Sequence, residues 1–529
     1  MRFALYGMPC AGKTTLLGSQ RQLTVVNGSA RLGELSNERF GRGFRELCEE
    51  ARREVRECLA RELKCQDGII VDGHYAFGDQ IVFTDEDGEC YDVFLYLHEC
   101  PETLRERMER SEKNARYLKF DLEKWQAAEI EELRRYCLVH GKDFYVIDDR
   151  NLFESFVKEI ARGFSSVGFA KAAVRKIAER YPGTGPIFLL DGDKTVSSCD
   201  VSRTFLHYKT HVFDGNFYTG FQFWLQSREF NGMGEPHVSP DDVPLNLPLL
   251  DQIDPSRSIL LTCGYPKAWD LIAARLRIPF CISGPEMSAD TKFHIVQLLR
   301  EAFPGRAIVT HGDSMSDWFM LEATGGTLWV KNRVSRSLAS RHLQGMALKY
   351  IPWILADENR SGEVAELCAT SKSDSGVSGN ALADVHERLG ELLGDVLARD
   401  FDADKTTMLC LLRGGLFLSR GIYRRFNCRY LLFDPRRDSP EDLDVPTENV
   451  LIVDSVVNTG ASIQRMVGEL SGKRVIVAAG VVQREALRKL CAYPTYAARV
   501  SANKFTGVRC RVQRGTVGPD TSDRLFNLI

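Results

Sequence analysis

A glycine-rich stretch near the start of the chain, GMPCAGKT, has the residue types and spacing of a phosphate-binding loop. Its two glycines, its lysine and its hydroxyl residue are Gly7, Gly12, Lys13 and Thr14. Such glycines let backbone N–H groups curl around phosphate oxygens at a helix N-terminus, while the lysine neutralises the β- and γ-phosphates and the hydroxyl binds magnesium. The pattern therefore predicts an ATP site with Thr14 as a Mg²⁺ ligand. The residues predicted to bind ATP are Gly7, Ala11, Gly12, Lys13, Thr14 and Thr15.

A second stretch, FLLDGDKT, ends an apolar strand with two aspartates, Asp191 and Asp193. Two carboxylates placed two residues apart at a strand end can project into one loop-lined pocket. Three later segments carry further residues suited to phosphate or to a cation. They contain, in order, Thr262 in LLTCGYP, Lys292 in SADTKFHIV, and Asp313 with Asp317 in VTHGDSMSDW.

A third stretch, VLIVDSVVNTGAS, places Asp454 after four apolar residues and before a turn of small residues. A carboxylate at such a position can hold two ribose hydroxyls. The N–H groups and hydroxyls of the turn can hold the 5′-phosphate, with the helix dipole behind them. The stretch therefore predicts a ribose-phosphate site, and its turn residues are Asn458, Thr459, Gly460, Ala461 and Ser462.

Each of the three stretches follows a predicted strand and precedes a predicted helix, so similar structural units must position them. Short β-branched strands alternate with longer amphipathic helices in all three parts of the chain. This alternation predicts an α/β protein of three Rossmann-like α/β sandwich domains with mainly parallel sheets. At about 150 residues per domain, the 529 residues also correspond to roughly three domains.

Turn-rich segments suggest where the domains meet. YPGTGP lies near residue 183, and SKSDSGVSGN, rich in serine and glycine, lies at 371–380. About 65 residues separate the first two motifs of the middle domain, which predicts a small, aromatic-rich cap near 196–255. The predicted domains are 1–165, 183–355 and 380–529.

The composition restricts what the chain can bind. With 44% hydrophobic and 27% charged residues it has the balance of a globular protein. A net charge of -3 argues against broad binding of nucleic acid or anionic membrane and favours small-molecule substrates. No apolar run reaches the ~18 residues of a membrane span. The fifteen cysteines sit singly, without zinc spacing, which predicts reduced thiols and a cytoplasmic location.

Residues 1 to about 165 resemble the nucleoside and nucleotide monophosphate kinase branch of P-loop proteins. The strand GIIVDGHY ends in Asp72, where such kinases place an acid near the acceptor hydroxyl or the magnesium, so the resemblance implies that Asp72 is a base. The run FLYLHECPETLRERMERSEKNARYL is similar to a fourth strand and a kinase lid. Arg107, Arg110 and Arg116 could clamp the transferring phosphoryl group, with Arg110 as the catalytic candidate. The alternative for these arginines is a solvated, charge-paired helix face.

Residues 186 to about 355 carry all four motifs of the haloacid-dehalogenase-like phosphatases and resemble the phosphoserine-phosphatase-like branch. The resemblance implies that Asp191 attacks phosphorus to form an aspartyl-phosphate, and that Asp193 protonates the leaving oxygen and then activates water. Thr262 would hydrogen-bond the phosphoryl group, and Lys292 would offset the crowded negative charge. The implied Mg²⁺ ligands are Asp191, Asp193, Asp313 and Asp317.

Residues 380–529 resemble the uracil-type branch of the type I phosphoribosyltransferases. Besides Asp454 and its turn, the segment MLCLLRGGLFLSRGI and the tail GTVGPDTSDRLFN carry the resemblance. The residues that they imply for phosphoribosyl diphosphate are Arg413, Gly414, Asp520 and Asp523. The second acid usual in that family is Ser455 here, and the spacing of the tail differs, so the base is left open. The resemblance also implies a homodimer through this domain.

Three phosphate-handling sites on one chain favour a multifunctional enzyme of nucleobase or nucleotide salvage, or of nucleoside-like metabolite synthesis. It would combine phosphorylation by ATP, Mg²⁺-dependent phosphomonoester hydrolysis, and phosphoribosyl transfer to a base, with a pyrimidine as the first candidate. The order of kinase and phosphatase also resembles polynucleotide kinase-phosphatases that heal nucleic-acid ends, although the near-neutral charge weighs against this alternative. A third hypothesis is a sensor whose transferase-like domain binds diphosphoribose or a nucleotide and regulates the other two.

Overall fold

The computed structural model describes residues 1–181, 184–233, 239–339, 341–502 and 520–528. Residue 183, at the first predicted boundary, and residues 515–519 of the predicted tail loop lie outside the described residues. The described residues form three large sheets in chain order, each parallel throughout and accompanied by helices. The predicted α/β class with mainly parallel sheets is confirmed.

Strands and helices alternate along most of the described chain. The strands are β1 (Arg2–Tyr6), β2 (Thr24–Asn27), β3 (Ile69–Asp72), β4 (Ala76–Phe77), β5 (Gln80–Ile81), β6 (Val93–Leu97), β7 (Asp143–Ile147), β8 (Ile187–Leu190), β9 (Ser258–Leu261), β10 (Phe280–Ile282), β11 (Ile308–Gly312), β12 (Thr327–Val330), β13 (Ala347–Tyr350), β14 (Trp353–Ile354), β15 (Thr406–Leu411), β16 (Arg429–Phe433), β17 (Asn449–Val457), β18 (Arg474–Gln483) and β19 (Thr495–Ser501). The α-helices are α1 (Lys13–Gly18), α2 (Gly28–Phe40), α3 (Glu49–Lys64), α4 (Asp85–Glu89), α5 (Pro101–Glu109), α6 (Leu122–His140), α7 (Phe153–Ala161), α8 (Ser166–Arg180), α9 (Val201–Phe205), α10 (Gly220–Asn231), α11 (Leu247–Leu250), α12 (Pro266–Leu276), α13 (Ala289–Ala302), α14 (Trp318–Thr324), α15 (Leu355–Glu358), α16 (Gly362–Thr370), α17 (Gly379–Asp400), α18 (Leu416–Arg425), α19 (Ala461–Glu469), α20 (Arg484–Leu490) and α21 (Thr521–Leu525).

The first sheet has the strand order β2-β3-β1-β6-β7. Its two faces are covered by two apolar clusters, so the central strands are nearly continuous apolar runs, such as VFLYL in β6. The glycine-rich loop follows β1, and the parallel register of β1 and β3 pairs Leu5 with Asp72. Parallel pairing therefore brings the loop and Asp72 to the same edge of the sheet.

The second sheet has the order β10-β9-β8-β11-β12-β13. Asp191 follows the central strand β8, Thr262 follows the neighbouring strand β9, and Asp313 follows β11 on the other side. The backbone N–H of Asp191 donates to the carbonyl of His311 at 2.9 Å. Three segments that are far apart in the chain thus reach one carboxyl edge.

The third sheet has the order β14-β19-β18-β17-β15-β16. Arg413 and Gly414 follow β15, and Asp454 lies within the adjacent strand β17. The long strand β17 is apolar and buried up to Asp454, because helices cover both of its faces. The two segments predicted to hold pyrophosphate and ribose are therefore neighbours in the sheet.

The core contacts bear on the predicted domain ranges, which remain predictions. Helix α8 packs Ala170 and Ile177 into the core of the second sheet, and β14 pairs with β19 in the third. Residues 166–180 thus pack with the second sheet, and residues from Trp353 onward contribute to the third. The sequence instead predicts boundaries near 183 and 380, because turn-rich composition marks any exposed loop, whether or not it joins two domains.

The insertion between Asp193 and Thr262 contains α9, α10 and α11, and α10 packs against the first domain. Phe221 and Trp224 of α10 join the apolar cluster that contains Phe156. The backbone N–H of Val146 in β7 donates to Thr219 Oγ1 at 3.1 Å, and Gln222 Nε2 donates to the Val146 carbonyl at 2.9 Å. The segment predicted as a cap is thus partly a contact between the first and second domains.

Among the residues that the structure describes, no helix combines the length and apolar character needed to cross a membrane. The cysteines in the same part of the chain are free thiols.

Phe156→Ala is expected to lower the free energy of unfolding by about 3–5 kcal/mol, as other large core truncations do. Phe156 is fully buried, and its ring centre lies 5.0 Å from that of Phe221 and 5.1 Å from that of Trp224. Urea unfolding followed by tryptophan fluorescence measures the change. Val139→Ala, at a side chain 78% exposed, is the control and should shift stability by less than about 0.5 kcal/mol. Equal midpoints for the two variants would contradict a core shared between α7 and α10.

Candidate functional site

The glycine-rich loop joins β1 to α1 in a conformation that requires its two glycines. Gly12 has a left-handed φ of 89° immediately before α1. Gly7 has a φ of 151°, and a Cβ there would lie 2.9 Å from the Leu97 carbonyl oxygen. Side chains at either position would be strained or would clash, so the residue types follow from the fold of the loop.

Lys13 is buried and folded back onto this loop. Its Nζ donates to the carbonyl of Gly7 at 2.6 Å and lies 3.4 Å from His74 Nδ1. Burial lowers the pKa of Lys13 to about 8, although Asp72 opposes the shift. Burial likewise lowers the pKa of His74 to about 2, so the imidazole is neutral and can accept from the lysine. An incoming phosphate would replace the loop carbonyl as the partner of this ammonium.

The predicted magnesium ligand and the predicted base are neighbours. Thr14 Oγ1 lies 3.5 Å from Asp72 Oδ2 at the carboxyl edge of the first sheet. A hydroxyl and a carboxylate placed beside a phosphate loop suit a Mg²⁺–nucleotide complex. Ala11 is a fully buried residue of the loop itself, whereas Thr15 is exposed on α1.

Glu99 holds two arginines on the backbone of the loop. Arg107 Nη1 lies 2.9 Å from Glu99 Oε2 and donates to the Cys10 carbonyl at 3.2 Å. Arg150 contacts the same carboxylate and donates to the carbonyl of Ala11. Both guanidinium groups therefore lie where the phosphates of a nucleotide would carry negative charge.

The structure separates the three arginines of the predicted lid. Arg107 reaches the loop, whereas Arg110, the catalytic candidate, is exposed at the end of α5, and Arg116 donates to the hydroxyl of Tyr117 at 2.7 Å. Sequence reasoning missed Arg150, which follows β7. Its position after a strand end, in the polar run DDRN, is the local signal that could have indicated it.

In the second domain, Lys292 joins two aspartates at the carboxyl edge of the sheet. From the first turn of α13, its Nζ donates to Asp191 Oδ1 and to Asp317 Oδ1, both at 2.6 Å. None of the three side chains is more than 7% exposed. Burial opposes its charge, but the two carboxylates dominate and raise the pKa of Lys292 well above its usual value. The ammonium therefore stays charged and offsets part of the buried negative charge.

Asp191, Asp313 and Asp317 offer a site for a cation. One oxygen from each lies within 4.8 Å of the others. Asp317 Oδ2 accepts from the backbone N–H groups of Asp313 and Ser314 at 3.1 and 3.3 Å, which holds this carboxylate in place. Burial and neighbouring carboxylates raise the pKa of Asp191 to about 7 and that of Asp313 well above its usual value. Carboxylates that repel one another in a closed pocket fit a hard divalent cation such as Mg²⁺.

Asp193 is not one of these three carboxylates, and its role as a fourth metal ligand stays a prediction. Its Oδ1 accepts from the backbone N–H of Val201 at 2.6 Å. Burial and the nearby Asp200 raise the pKa of Asp193 well above its usual value. The protonated form is thereby favoured, as a general acid requires.

Thr262 lies on the loop after β9, which contacts the loop that carries Asp191 and Asp193. A Cβ at Gly192 would lie 2.8 Å from Thr262 Oγ1, and one at Gly264 would lie 2.5 Å from Asp193 Oδ2. The loop after β8 and the loop after β9 therefore contact each other at Gly192 and Gly264. The loops and the helix that carry the predicted phosphatase residues therefore meet at the carboxyl edge of the second sheet.

A cavity of about 340 Å³ opens beside this pocket, between α10 and the loop after β9. Phe223 and Phe230 line it from α10, and Gly264, Tyr265 and Pro266 line it from the other side. Because Gly264 also adjoins Asp193, the cavity lies next to the predicted acid. Its aromatic lining fits an apolar or planar group attached to the phosphate.

In the third domain, several segments meet at Gly414. A Cβ there would lie 2.6 Å from Ser455 Oγ, 3.0 Å from Asp454 Oδ1 and 3.1 Å from Ser522 Oγ. Only a residue without a side chain fits this junction. The adjoining Arg413 places Nη2 at 3.3 Å from Asp523 Oδ1, so the predicted pyrophosphate and tail residues are in contact.

Asp454 is followed by an open turn and a helix N-terminus. Burial raises the pKa of Asp454 to about 7. Gly460, with a φ of 72°, leads into α19, and the first two residues of that helix, Ala461 and Ser462, are exposed. Thr459 Oγ1 accepts from the backbone N–H of Ala461 at 3.4 Å. A solvated helix N-terminus beside a carboxylate can bind a phosphate and the ribose attached to it.

The C-terminal helix α21 is fixed to the third domain by Arg524, which the sequence analysis did not identify. Arg524 donates to the carbonyls of Val377 and Ser371 at 2.7 and 3.3 Å. Asp520 accepts from two N–H groups of α21 and is therefore engaged by its own helix. Arg524 thus ties the helix that carries Asp523 to the segment at 371–377.

Comparison with known proteins supports the first site. A family model described as an AAA domain matches residues 6–124, a range that contains the glycine-rich loop and Asp72. The N-terminal region is therefore P-loop kinase-like. No curated protein matches the sequence.

Solved structures similar to parts of the chain include phosphoribosyltransferases. The AQ2163 protein from Aquifex aeolicus is 14% identical, over 31% of this chain and 94% of its own, with a TM-score of 0.24. Orotate phosphoribosyltransferase from Mycobacterium tuberculosis H37Rv, in complex with 5-phospho-α-D-ribosyl 1-diphosphate, is 17% identical over 28% of this chain and 95% of its own, with a TM-score of 0.23. The Aeropyrum pernix orotate phosphoribosyltransferase is 21% identical over 22% of this chain and 71% of its own, with a TM-score of 0.19.

Mg²⁺ is expected to raise the unfolding temperature of the wild-type chain. A cation that binds only the folded group of Asp191, Asp313 and Asp317 stabilises it by mass action, by about 2.7 kcal/mol at a hundred times Kd. Thermal unfolding with and without millimolar MgCl₂ and without nucleotide measures the shift. Asp313→Asn should lose most of it, whereas Asp241→Asn, at a side chain 87% exposed in the same domain, should keep it. An unchanged shift in Asp313→Asn would argue against a metal at this group.

ATP affinity is expected to fall as the pH rises above about 8. The fold lowers the pKa of Lys13 from 10.5 to about 8, so the ammonium is half lost near pH 8 and declines further above it. Affinity for Mg²⁺–ATP should then decline toward about tenfold per pH unit. Calorimetric titrations across this range test the expectation. In Lys13→Arg the guanidinium remains charged, so its weaker binding should be independent of pH. A flat profile for the wild type would rule out Lys13 as the titrating group.

Proposed function

We propose that the chain is a three-site enzyme of nucleobase and nucleotide metabolism, with kinase, phosphatase and phosphoribosyltransferase activities. The observation that carries the proposal is the gathering of phosphate-directed residues from distant segments at the carboxyl edge of each sheet. The second site is the most complete example, because Lys292 bridges Asp191 and Asp317 while Thr262 and Asp193 close the same pocket.

In the proposed kinase reaction, the P–O bond between the β- and γ-phosphates of ATP breaks and a new one forms to an acceptor hydroxyl. Asp72 takes the proton of that hydroxyl, and Lys13 pairs with the phosphate oxygens. Bound Mg²⁺ would supply charge neutralisation at the phosphates and would be held through Thr14. Arg107 and Arg150, held on the loop by Glu99, lie near the same phosphates.

In the proposed phosphatase reaction, the Asp191 carboxylate attacks phosphorus and the bond to the leaving oxygen breaks. Asp193 gives its proton to that oxygen, and as a carboxylate it then takes a proton from water. The water oxygen attacks phosphorus, the aspartyl P–O bond breaks, and phosphate and free Asp191 result. Lys292 holds the attacking carboxylate in place. Mg²⁺ would fit between Asp191, Asp313 and Asp317 and offset the charge of the phosphate.

In the proposed transferase reaction, the bond from ribose C1 to pyrophosphate breaks and a bond forms from C1 to a nitrogen of the base. The proton of that nitrogen leaves with the pyrophosphate. Asp454 holds the ribose hydroxyls, the turn before α19 holds the 5′-phosphate, and Arg413 offsets the departing pyrophosphate. Gly414 allows the diphosphate to approach Asp454 closely, since no side chain fills the junction.

The experiment that tests the proposal is mass spectrometry of products. The protein is incubated with Mg²⁺, phosphoribosyl diphosphate and a panel of nucleobases led by uracil, with and without ATP. A base–ribose–phosphate formed by the wild type and lost in Asp454→Asn would support the transferase. No product from any base, with binding retained, would support a sensor instead. Transfer of labelled phosphate from ATP to hydroxyl-ended oligonucleotides would support end healing.

Asp191→Asn is expected to reduce phosphatase turnover by about a thousandfold or more, because the amide cannot attack phosphorus. Kinase and transferase turnover should be unchanged, since those sites lie on other sheets. Parallel assays of the three activities on wild type, Asp191→Asn and the exposed control Asp241→Asn measure this. Full phosphatase turnover in Asp191→Asn would show that another residue is the nucleophile.

A further inference from the structure

Helix α6 of the first domain places one buried guanidinium group inside the second domain. Arg134 is 3% exposed, and its Nε donates to Asp290 Oδ1 at 2.7 Å. Its Nη1 and Nη2 donate to the carbonyls of Phe217 and Tyr218 at 2.8 and 2.9 Å. The guanidinium carbon lies 4.7 Å from the ring centre of Phe319. All three nitrogens of the Arg134 guanidinium group therefore donate hydrogen bonds across the contact between the two domains.

The partners of Arg134 lie on the elements that carry the phosphatase pocket. Asp290 is in the first turn of α13, two residues before Lys292. Phe319 is in the first turn of α14, two residues after Asp317. The two carbonyls belong to the insertion just before α10, which lines the cavity next to Asp193. Arg134 of the first domain thus contacts the helix that carries Lys292, the helix that follows Asp317, and the segment just before the cavity-lining helix α10.

Asp290 depends on this contact. Its second carboxylate oxygen is buried and has no hydrogen-bond partner in the part of the chain that the structure describes. Without Arg134, a buried carboxylate would remain uncompensated at the start of α13. Any shift of that turn would move Lys292, because a helix transmits displacement along its length with little bending.

The surrounding contact holds the two domains together independently of Arg134. Glu131 of the same helix forms a two-pronged ion pair with Arg341, both distances being 2.9 Å. Leu138, one turn of α6 beyond Arg134, packs in an apolar cluster with Trp318. A change confined to Arg134 therefore alters the pocket without separating the domains.

We propose that Arg134 is a positioning residue for the phosphatase site, so that the first domain completes the pocket of the second. Arg134 touches no reacting atom and acts through α13, α14 and the insertion. The inference rests on the phosphatase activity proposed above. Arg134 thereby couples the kinase-like part of the chain to the phosphatase-like pocket, beside the other contacts that hold the two parts together.

The experiment compares variants of the full chain. In Arg134→Met/Asp290→Leu both charges are removed and the volume is kept, a replacement that is often neutral for stability. Arg134→Lys keeps the charge but cannot reach three acceptors at once. Arg135→Met is the matched control, since Arg135 is the next residue of α6 and its side chain is 46% exposed. Each variant is assayed for phosphomonoester hydrolysis, ATP binding and melting temperature.

We expect both Arg134 variants to remain folded at the assay temperature with the ATP affinity of the control, and to lose about 10- to 100-fold in phosphatase kcat with little change in KM. A loss of that size is expected when the Lys292 ammonium is slightly displaced from Asp191 and Asp317. Arg135→Met should retain full turnover. If the double variant does not fold, Arg134→Lys gives the same comparison.

Wild-type kcat in a folded Arg134 variant would overturn this inference and leave the proposed phosphatase intact. A fall in kcat that follows the fraction of unfolded protein at the assay temperature, with ATP binding lost in parallel, would mean that Arg134 serves only folding. If the wild type hydrolyses no phosphomonoester, the proposed phosphatase activity is wrong and the inference fails with it. The wild-type assay therefore separates the two failures.

Discussion

Three carboxylates and one ammonium lie together at the carboxyl edge of the second sheet. The ammonium and two of the carboxylates are buried and the third is half-buried, so their charges must compensate one another. Lys292 pairs with two of the carboxylates, and backbone N–H groups hold the second oxygen of Asp317. Burial, and after it the neighbouring carboxylates, raise the pKa values of Asp191 and Asp313. A divalent cation and a phosphate are the ligands that would complete such a set, which is why the pocket suits phosphate chemistry.

The same edge of a parallel sheet serves all three domains. Each strand points its carboxyl end, and the loop after it, toward one side, so a single residue on each of several loops suffices to build a pocket. Lys13 with Asp72, Asp191 with Thr262, and Arg413 with Asp454 are all gathered in this way. The three proposed phosphate sites therefore follow one architectural rule applied three times along the chain.

The first two domains share more than a linker. Helix α10, inserted between two motifs of the second domain, packs its aromatic side chains into the core of the first, and α6 returns Arg134 into the second. The cavity beside Asp193 thus has a wall that is anchored in the neighbouring domain. Conformational change in either domain must be accommodated at this contact, because packed cores shift between discrete arrangements and do not deform smoothly.

The sequence by itself determined the α/β class, the glycine-rich loop, the aspartate pair and the acid-and-turn segment, because each depends on residues within a few positions of one another along a strand end. Tertiary structure decided that Arg107, and not Arg110, reaches the loop, that Arg150 reaches it from 139 residues away, and that Arg134 meets Asp290 across 156 residues. It also decided that Asp191, Asp313 and Asp317 come within reach of one cation and that α10 packs against the first domain. Local patterns follow from backbone geometry, whereas these contacts depend on how whole layers pack, which no short stretch of sequence encodes.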